Sequence, residues 1–325
     1  MDKSVEKNEH KNKIILVIVA VLALLLIVDM IAIRRIDERT VRKADENSSR
    51  EERTEEVKKD PWQKALDENN TIELARLDNE HRQIVDGTNY ADVDNKLYAW
   101  WFRRNDNHEK SGCQEDFDIG QYNAYYTVPV SEKKMFITFD CGYENGLTAD
   151  ILDVLKEENV TAAFFVTQTF IRDNIELVKR MKEEGHLVCN HTVTHPSMPS
   201  RSIEEQREEL LKCESYMKEA TGYDMDLFFR PPKGEYSRRT LQLAKDLGYT
   251  TVFWSIAYLD YDVNNQPSPE HVINHFEKYY HPGAIPLIHN VSKANHDALK
   301  NVIELLKNEG YSFGNLYEIK EKSCK

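Results

Sequence analysis

MFITFDCGYENG, residues 135–146, reads as a buried strand that runs into an acidic residue and a glycine turn. Met135, Phe136, Ile137 and Phe139 show no strict polar alternation, which suits a strand covered on both faces. Asp140 falls where that strand ends. The same pattern recurs downstream, with strand-like runs at Ala162–Val166, His186–Cys189, Leu227–Phe229, Thr251–Trp254, Ile285–Ile288 and a weak one near Tyr311–Phe313. Helix-like stretches lie between them at Ala149–Glu158, Ile175–Glu184, Ile203–Ala220, Arg238–Leu247, Glu270–Tyr279 and Asn295–Glu309. Regular strand-helix alternation predicts a parallel sheet covered by helices, and seven such units predict a closed or nearly closed barrel.

Five motifs stand at or just beyond those strand ends, where barrels of this kind gather reactive residues. They are TFDCGYENG (138–146), HTVTH (191–195), RPPKGEYS (230–237), FWSIAYLDYD (253–262) and IPLIHN (285–290). Together they supply a carboxylate, two imidazoles at metal-ligand spacing, an arginine, a second carboxylate and a late histidine, the components of metal-assisted hydrolysis. Spacing alone does not license a metal site, because a second HxxxH occurs at His271 and His275. That copy sits in a helix-like stretch without an acidic partner motif and reads as helix surface. His191 and His195 instead follow a strand-like run, and Pro196 stops any long helix behind them, so they are the expected ligands.

Residues 1–59 have a different character. Ile14 to Val28 carries no charge, and Met30 to Ile33 extends the apolar run towards the roughly 20 residues that a membrane span needs. VDMIAIRR lacks a small-x-small cleavage pattern, which favours an uncleaved signal-anchor over 14–33, with residues 1–13 as a cytoplasmic tail. Residues 34–60 are dense in charge and read as a solvated helical stalk. Residues 61–130 form an N-terminal extension expected to pack on the 131–325 domain, with the aromatics Tyr98, Trp100, Trp101 and Phe102 packing rather than stacking on sugar rings. A net charge of −13 argues against nucleic acid as a partner. Five cysteines without a CxxC pair imply no disulfide framework.

The ordered set TFDCGYENG, HTVTH, RPPKG, LD and LIH resembles the polysaccharide deacetylase domain, the NodB homology domain of the fourth carbohydrate esterase family, over about residues 130–318. TFDxGYENG, the basic residue after RPP, HPGAI before the last motif and the leader WWFRRNDNHEKSG (100–112) are most similar to the branch of delta-lactam-biosynthetic muramic acid de-N-acetylases. The resemblance implies an α/β fold, a distorted (β/α)7 barrel, here preceded by a transmembrane helix and a charged stalk. It implies metal-dependent removal of acetate from N-acetyl sugars of peptidoglycan, with a divalent metal, zinc expected, on His191 and His195. Asp140 would be the base and His289 the acid, with Asp260 orienting His289 and Asp262 as its substitute. Arg230 would hold Asp140 ionised. Lys233, Tyr143 and Trp254 are the expected substrate-binding residues, with a solvated turn lysine and a core tryptophan as the plainer readings of Lys233 and Trp254. Peptidoglycan strands are the expected partner, and the catalytic domain of a single-pass membrane protein acting on them would lie outside the cytoplasm.

One position departs from the family pattern. Cys141 stands where most members carry an aspartate metal ligand, so it is read either as a thiolate ligand or as a small space-filler. Cys189, just before Asn190-His191, raises the further option of a pair with Cys141. Three functions follow: a deacetylase of muramic acid lacking its stem peptide, a deacetylase of N-acetylglucosamine in peptidoglycan or chitin, or a non-catalytic glycan-binding relative. Retention of both Asp140 and His289 argues against the third. Lys233 discriminates the first two, because muramic acid bears a lactyl ether that ends in a carboxylate once the peptide is gone.

Overall fold

The computed structural model describes residues 60–114 and 116–323, in which seven strands form one sheet. They are β1 (Ala124–Tyr125), β2 (Thr138–Cys141), β3 (Ala163–Val166), β4 (Leu187–Asn190), β5 (Asp226–Phe229), β6 (Thr250–Val252) and β7 (Leu287–His289). Their order across the sheet is β7-β2-β3-β4-β5-β6-β1, and every pairing is parallel. The predicted tail, membrane span and stalk, up to residue 59, lie outside the described residues. Among the described residues no helix is long and apolar enough to cross a membrane.

Helices α1 (Pro61–Asp67) and α2 (Thr71–Glu80) precede the sheet, and α3 (Thr148–Glu157), α4 (Gln168–Asp173), α5 (Ile175–Glu183), α6 (Ile203–Thr221), α7 (Arg238–Asp246), α8 (Pro269–Tyr279), α9 (Lys293–Asn308) and α10 (Tyr317–Ser323) follow its strands. Their starts obey local rules. Ser202 and Glu205 form a reciprocal capping box on α6, and Thr167, Ser237, Ser268 and Ser292 each accept a backbone N–H in the first turn of the helix that follows.

Two apolar layers explain why the strands are apolar on both faces. Ile137, Phe139 and Cys141 of the β2 segment pack outward with Ile151, Leu155 and Ile303 of the helices. Phe136 points the other way, into an interior shared with Phe165, Cys189, Phe228 and Val252. Period-two alternation along a strand sorts these residues between the layers.

The expected (β/α)7 barrel is corrected in two respects. The run at 311–313 does not join the sheet; Ser312–Phe313, bounded by Gly310 and Gly314, pairs with Lys134–Met135 ahead of β2. The seventh place belongs to β1, contributed by the N-terminal extension. The ring is also left without a continuous closing ladder. Among the described residues the segments that follow β1 and β6 reach the approach to β7 through isolated bridges, Thr127 with Ala284 and Ile256 with Pro286. At that seam Val128 donates to the Gly283 carbonyl at 2.9 Å, and a Cβ on Gly283, which has φ +75°, would stand 2.2 Å from the Val128 oxygen. Only glycine permits so close an approach in the left-handed region.

Much of the extension packs on the rest of the chain. The Trp100 ring stacks on Phe253 at 4.4 Å between centroids, and its Nε1 donates to the Trp254 carbonyl at 3.0 Å. At the opposite end Trp62 meets Tyr317 edge-on, and Tyr317 donates to Asp226, whose carboxylate also takes the buried Lys182 ammonium at 2.7 Å.

Candidate active site

A cleft of about 910 Å³ opens at the C-terminal ends of the strands, and Asp140, His191, His195, Lys233, Trp254 and His289 all line it. β2 delivers Asp140 by alternation: Thr138 and Asp140 face inward, Phe139 and Cys141 outward. Arg230, fully buried at the end of β5, reaches across the sheet to Asp140, its Nη1 standing 2.7 Å from Oδ1. The remaining guanidinium donors go to Thr138 Oγ1 at 2.9 Å and to the carbonyls of Val252 and Phe253, so the cation is fixed on three sides. Burial alone would raise the Asp140 carboxyl; the charge of Arg230, with lesser contributions from His191 and His289, overrides that and holds it below its usual range.

The loop after β4 presents the two histidines. His191 donates Nδ1–H to the Arg230 carbonyl at 2.8 Å, which leaves Nε2 unprotonated and 3.5 Å from Asp140 Oδ2. The His195 ring lies 4.8 Å from that of His191, centroid to centroid. Both are held neutral: burial lowers His191, and burial followed by the adjacent His191 pushes His195 down to about 4. The backbone here is strained, with Thr192 at φ +72° and His195 at φ +56°, a region that β-branched residues avoid. Side chains fix it. Asn190 accepts from Thr192 N, Thr192 Oγ1 accepts from His195 N at 3.0 Å, and Glu209 of α6 accepts from the backbone of Val193 and Thr194. Strain retained under such support is a mark of a functional loop.

His289, at the end of β7, faces Asp260. Asp260 Oδ1 stands 2.7 Å from the ring Nδ1, and Oδ2 accepts the backbone N–H of the same histidine at 2.7 Å. Asn295 donates to Oδ2 at 2.7 Å and itself accepts from the Tyr258 hydroxyl at 2.6 Å. Burial disfavours charge on His289, but the bond to Asp260 and its charge lift the imidazole above its ordinary value. Asp262 is exposed and caps its own turn by accepting from Asn264 N.

Two neutral, oriented nitrogens beside an ionised carboxylate fit a divalent cation, and His191 and His195 are the residues that would hold it. No group of three metal-ligating side chains occurs among the described residues. Cys141 is buried in the helix-facing layer and does not line the cleft, and burial pushes its thiol well up. Cys189 lies in the interior layer, and both cysteines are free. The pair option is thereby excluded by the opposite faces on which the two stand.

The sequence profile of the polysaccharide deacetylase family matches residues 127–252. Peptidoglycan-N-acetylmuramic acid deacetylase PdaA of Bacillus subtilis is 41% identical over 229 residues, spanning 70% of this chain and 87% of its own. The chain belongs to the polysaccharide deacetylase family. Among solved family structures, that of B. subtilis PdaA, described as a family 4 carbohydrate esterase, aligns with a TM-score of 0.69 at 39% identity, covering 71% of this chain and 100% of the other. A family 4 carbohydrate esterase from Bacillus anthracis aligns at 0.59 and 36%, covering 70% and 98%. A pseudoenzyme of the same family from B. anthracis aligns at 0.57 and 28%, covering 64% and 71%.

Several residues of this family member's cleft escape sequence reading. Tyr258 and Asn295 complete the Asp260–His289 network, and Asn295 could be noticed only as the residue that Ser292 caps. Glu144, inside the quoted YENG, accepts from Leu147 N and Thr148 N at the start of α3 and from Asn290 beside His289. Tyr143 lines the cleft and is 50% exposed, Trp254 is half-buried, and Leu259 and Tyr261 line the rim at 75% and 59% exposure. Lys233 sits exposed in the cleft at φ +60°, in a turn where Gly234 packs against Trp254.

Proposed function

We propose that the protein hydrolyses the acetamide of N-acetylmuramic acid in peptidoglycan, preferring residues that have lost their stem peptide, so that the freed amine and the lactyl carboxylate can close to a muramic delta-lactam. The observation that carries this is a pair of contacts in one cleft: the Arg230 guanidinium meets the Asp140 carboxylate at 2.7 Å, which favours the ionised base, and Asp260 meets His289 Nδ1 at 2.7 Å, which favours the charged acid. A base and an acid poised together serve a hydrolysis that needs both, whereas glycan binding alone needs neither.

His191 and His195 would hold a divalent cation, with zinc the expected ion, and when bound it would polarise the acetyl carbonyl and lower the pKa of water. Asp140 takes the water proton through Oδ2, the oxygen that Arg230 leaves free. Arg230 keeps Asp140 from being protonated by bulk solvent at neutral pH. His289, charged and aimed by Asp260, gives its proton to the amine nitrogen as the C–N bond breaks. Acetate and the free amine leave, and the proton taken by Asp140 passes back to His289 through solvent. Cys141 takes no part in this scheme.

Lys233 supports the muramic substrate. It lines the cleft, and no hydrogen bond or ion pair engages its ammonium among the described residues, so it is free to meet the lactyl carboxylate. The name of the PdaA relative points the same way. The apolar segment 14–33 supports a single-pass anchor with the catalytic domain outside the cytoplasm, where assembled glycan strands are. Mass analysis of muropeptides after incubation with the soluble part decides the reading: loss of acetyl from muramic acid supports it, and loss from glucosamine alone overturns it.

A further inference from the structure

Arg104 belongs to the N-terminal extension, ahead of the segment that the family profile matches, yet it lines the same cleft as Asp140 and His289. Its Nη2 donates to the Ala257 carbonyl at 2.6 Å, and its guanidinium lies over the rings of Phe102 and Tyr279 at 5.5 and 5.9 Å. The side chain is therefore fixed in place while exposed. No carboxylate pairs with it among the described residues, so its other N–H donors remain available. Among the described residues the cleft thus presents two cations that no carboxylate pairs, Arg104 and Lys233, against one lining carboxylate, Asp140, which Arg230 already engages. That balance runs against the −13 charge of the whole chain.

The two cations come from different places. Lys233 rides on the turn after β5, whereas Arg104 is held by the Ala257 carbonyl and over the ring of Tyr279 in α8. A glycan strand stripped of stem peptides carries one lactyl carboxylate on every muramic acid, so anions recur along it. A glucosamine polymer carries none.

We propose that Arg104 is a second anion-binding point of the cleft, taking a carboxylate of the strand other than the one that meets Lys233. This rests on the deacetylase reading above and extends it: the preferred substrate is an oligosaccharide with at least two peptide-free muramic acids. A planar guanidinium pre-oriented by a carbonyl and two rings is suited to bidentate capture of a carboxylate at little entropic cost.

The test compares kcat/KM of the full-length protein on two oligosaccharides of equal length, one with a single peptide-free muramic acid and one with two. Wild type should favour the second by about 10- to 100-fold at low salt, the range of a charge-assisted hydrogen bond, and the advantage should shrink as ionic strength rises. Arg104→Gln should lose that advantage and keep the single-muramate rate, with Arg104→Lys recovering part of it. An equal loss on both substrates, or no loss on either, would overturn the proposal. Should wild type turn over neither oligosaccharide, the deacetylase reading fails instead. Calorimetric affinities for the same pair then decide the anion point, which stands only if wild type separates the two and Arg104→Gln does not.

Discussion

Asp260 holds His289 at two points, the ring Nδ1 and the backbone N–H, with both contacts at 2.7 Å. Orientation and charge of the acid are thus set by one carboxylate. Asp260→Asn keeps the shape and removes the charge that raises the His289 pKa. Because the acid must be protonated, its activity is lost as pH rises through that pKa. The variant's alkaline limb in a kcat against pH profile should therefore move to lower pH, with kcat reduced by about 10- to 100-fold at neutral pH. An unmoved limb would remove Asp260 from this role.

Asp140→Asn and His289→Ala should each lower turnover by about 10² to 10⁴ with melting behaviour retained, since each removes one proton transfer. Acetate release measured beside a thermal melt separates lost chemistry from lost fold.

Arg230→Met should behave differently, because it strands the Asp140 carboxylate in the core. Removing one partner of a buried pair costs about 3–5 kcal/mol. Asp140 is depressed in the folded protein, so its contribution is present above the unfolded carboxylate pKa and disappears as pH falls through the folded value. Denaturant midpoints of wild type and variant should consequently converge at acid pH and diverge at neutral pH.

A chelator should abolish activity, and zinc or another divalent ion should restore it. Cys141→Ala should leave metal affinity unchanged while costing about 1–2 kcal/mol of stability, because the side chain fills space beside Phe139 and α3. A weakened metal affinity in that variant would return Cys141 to the ligand set.

Lys233→Met should reduce kcat/KM on peptide-free glycan by about 1.5–3 kcal/mol and leave activity on N-acetylglucosamine oligomers nearly unchanged. Comparison of amidase-treated with untreated peptidoglycan is the measurement. Equal losses on both would favour the glucosamine reading.

The five motifs were legible because each closes a short strand, and strand alternation throws Asp140, Arg230 and His289 onto one face. Alternation also sends Cys141 outward, a consequence that residue identity in a family motif does not reveal. The choice of Asp260 over Asp262 depends on where an irregular segment folds back on β7, which no local pattern encodes. The edge strand Ala124–Tyr125 is two residues long and pairs with β6 far along the chain, too little for a periodicity to register. Arg104 and Asn295 belong to the same class, being ordinary polar residues until tertiary structure carries Arg104 to the cleft and Asn295 to the Asp260 carboxylate.

The seam between the chain's early and late segments bears on how the polypeptide is made. Ala124–Tyr125 emerges from the ribosome well before Thr250–Val252, and Trp62 must wait for Tyr317. Contacts of such long sequence separation form late and slowly. The sheet therefore cannot complete its edge until Thr250–Val252 has been made. The same dependence makes fragments hazardous: a product starting at residue 127 would leave β6 with a bare backbone edge, open to pairing with a neighbouring molecule, and should aggregate where the longer chain stays in solution.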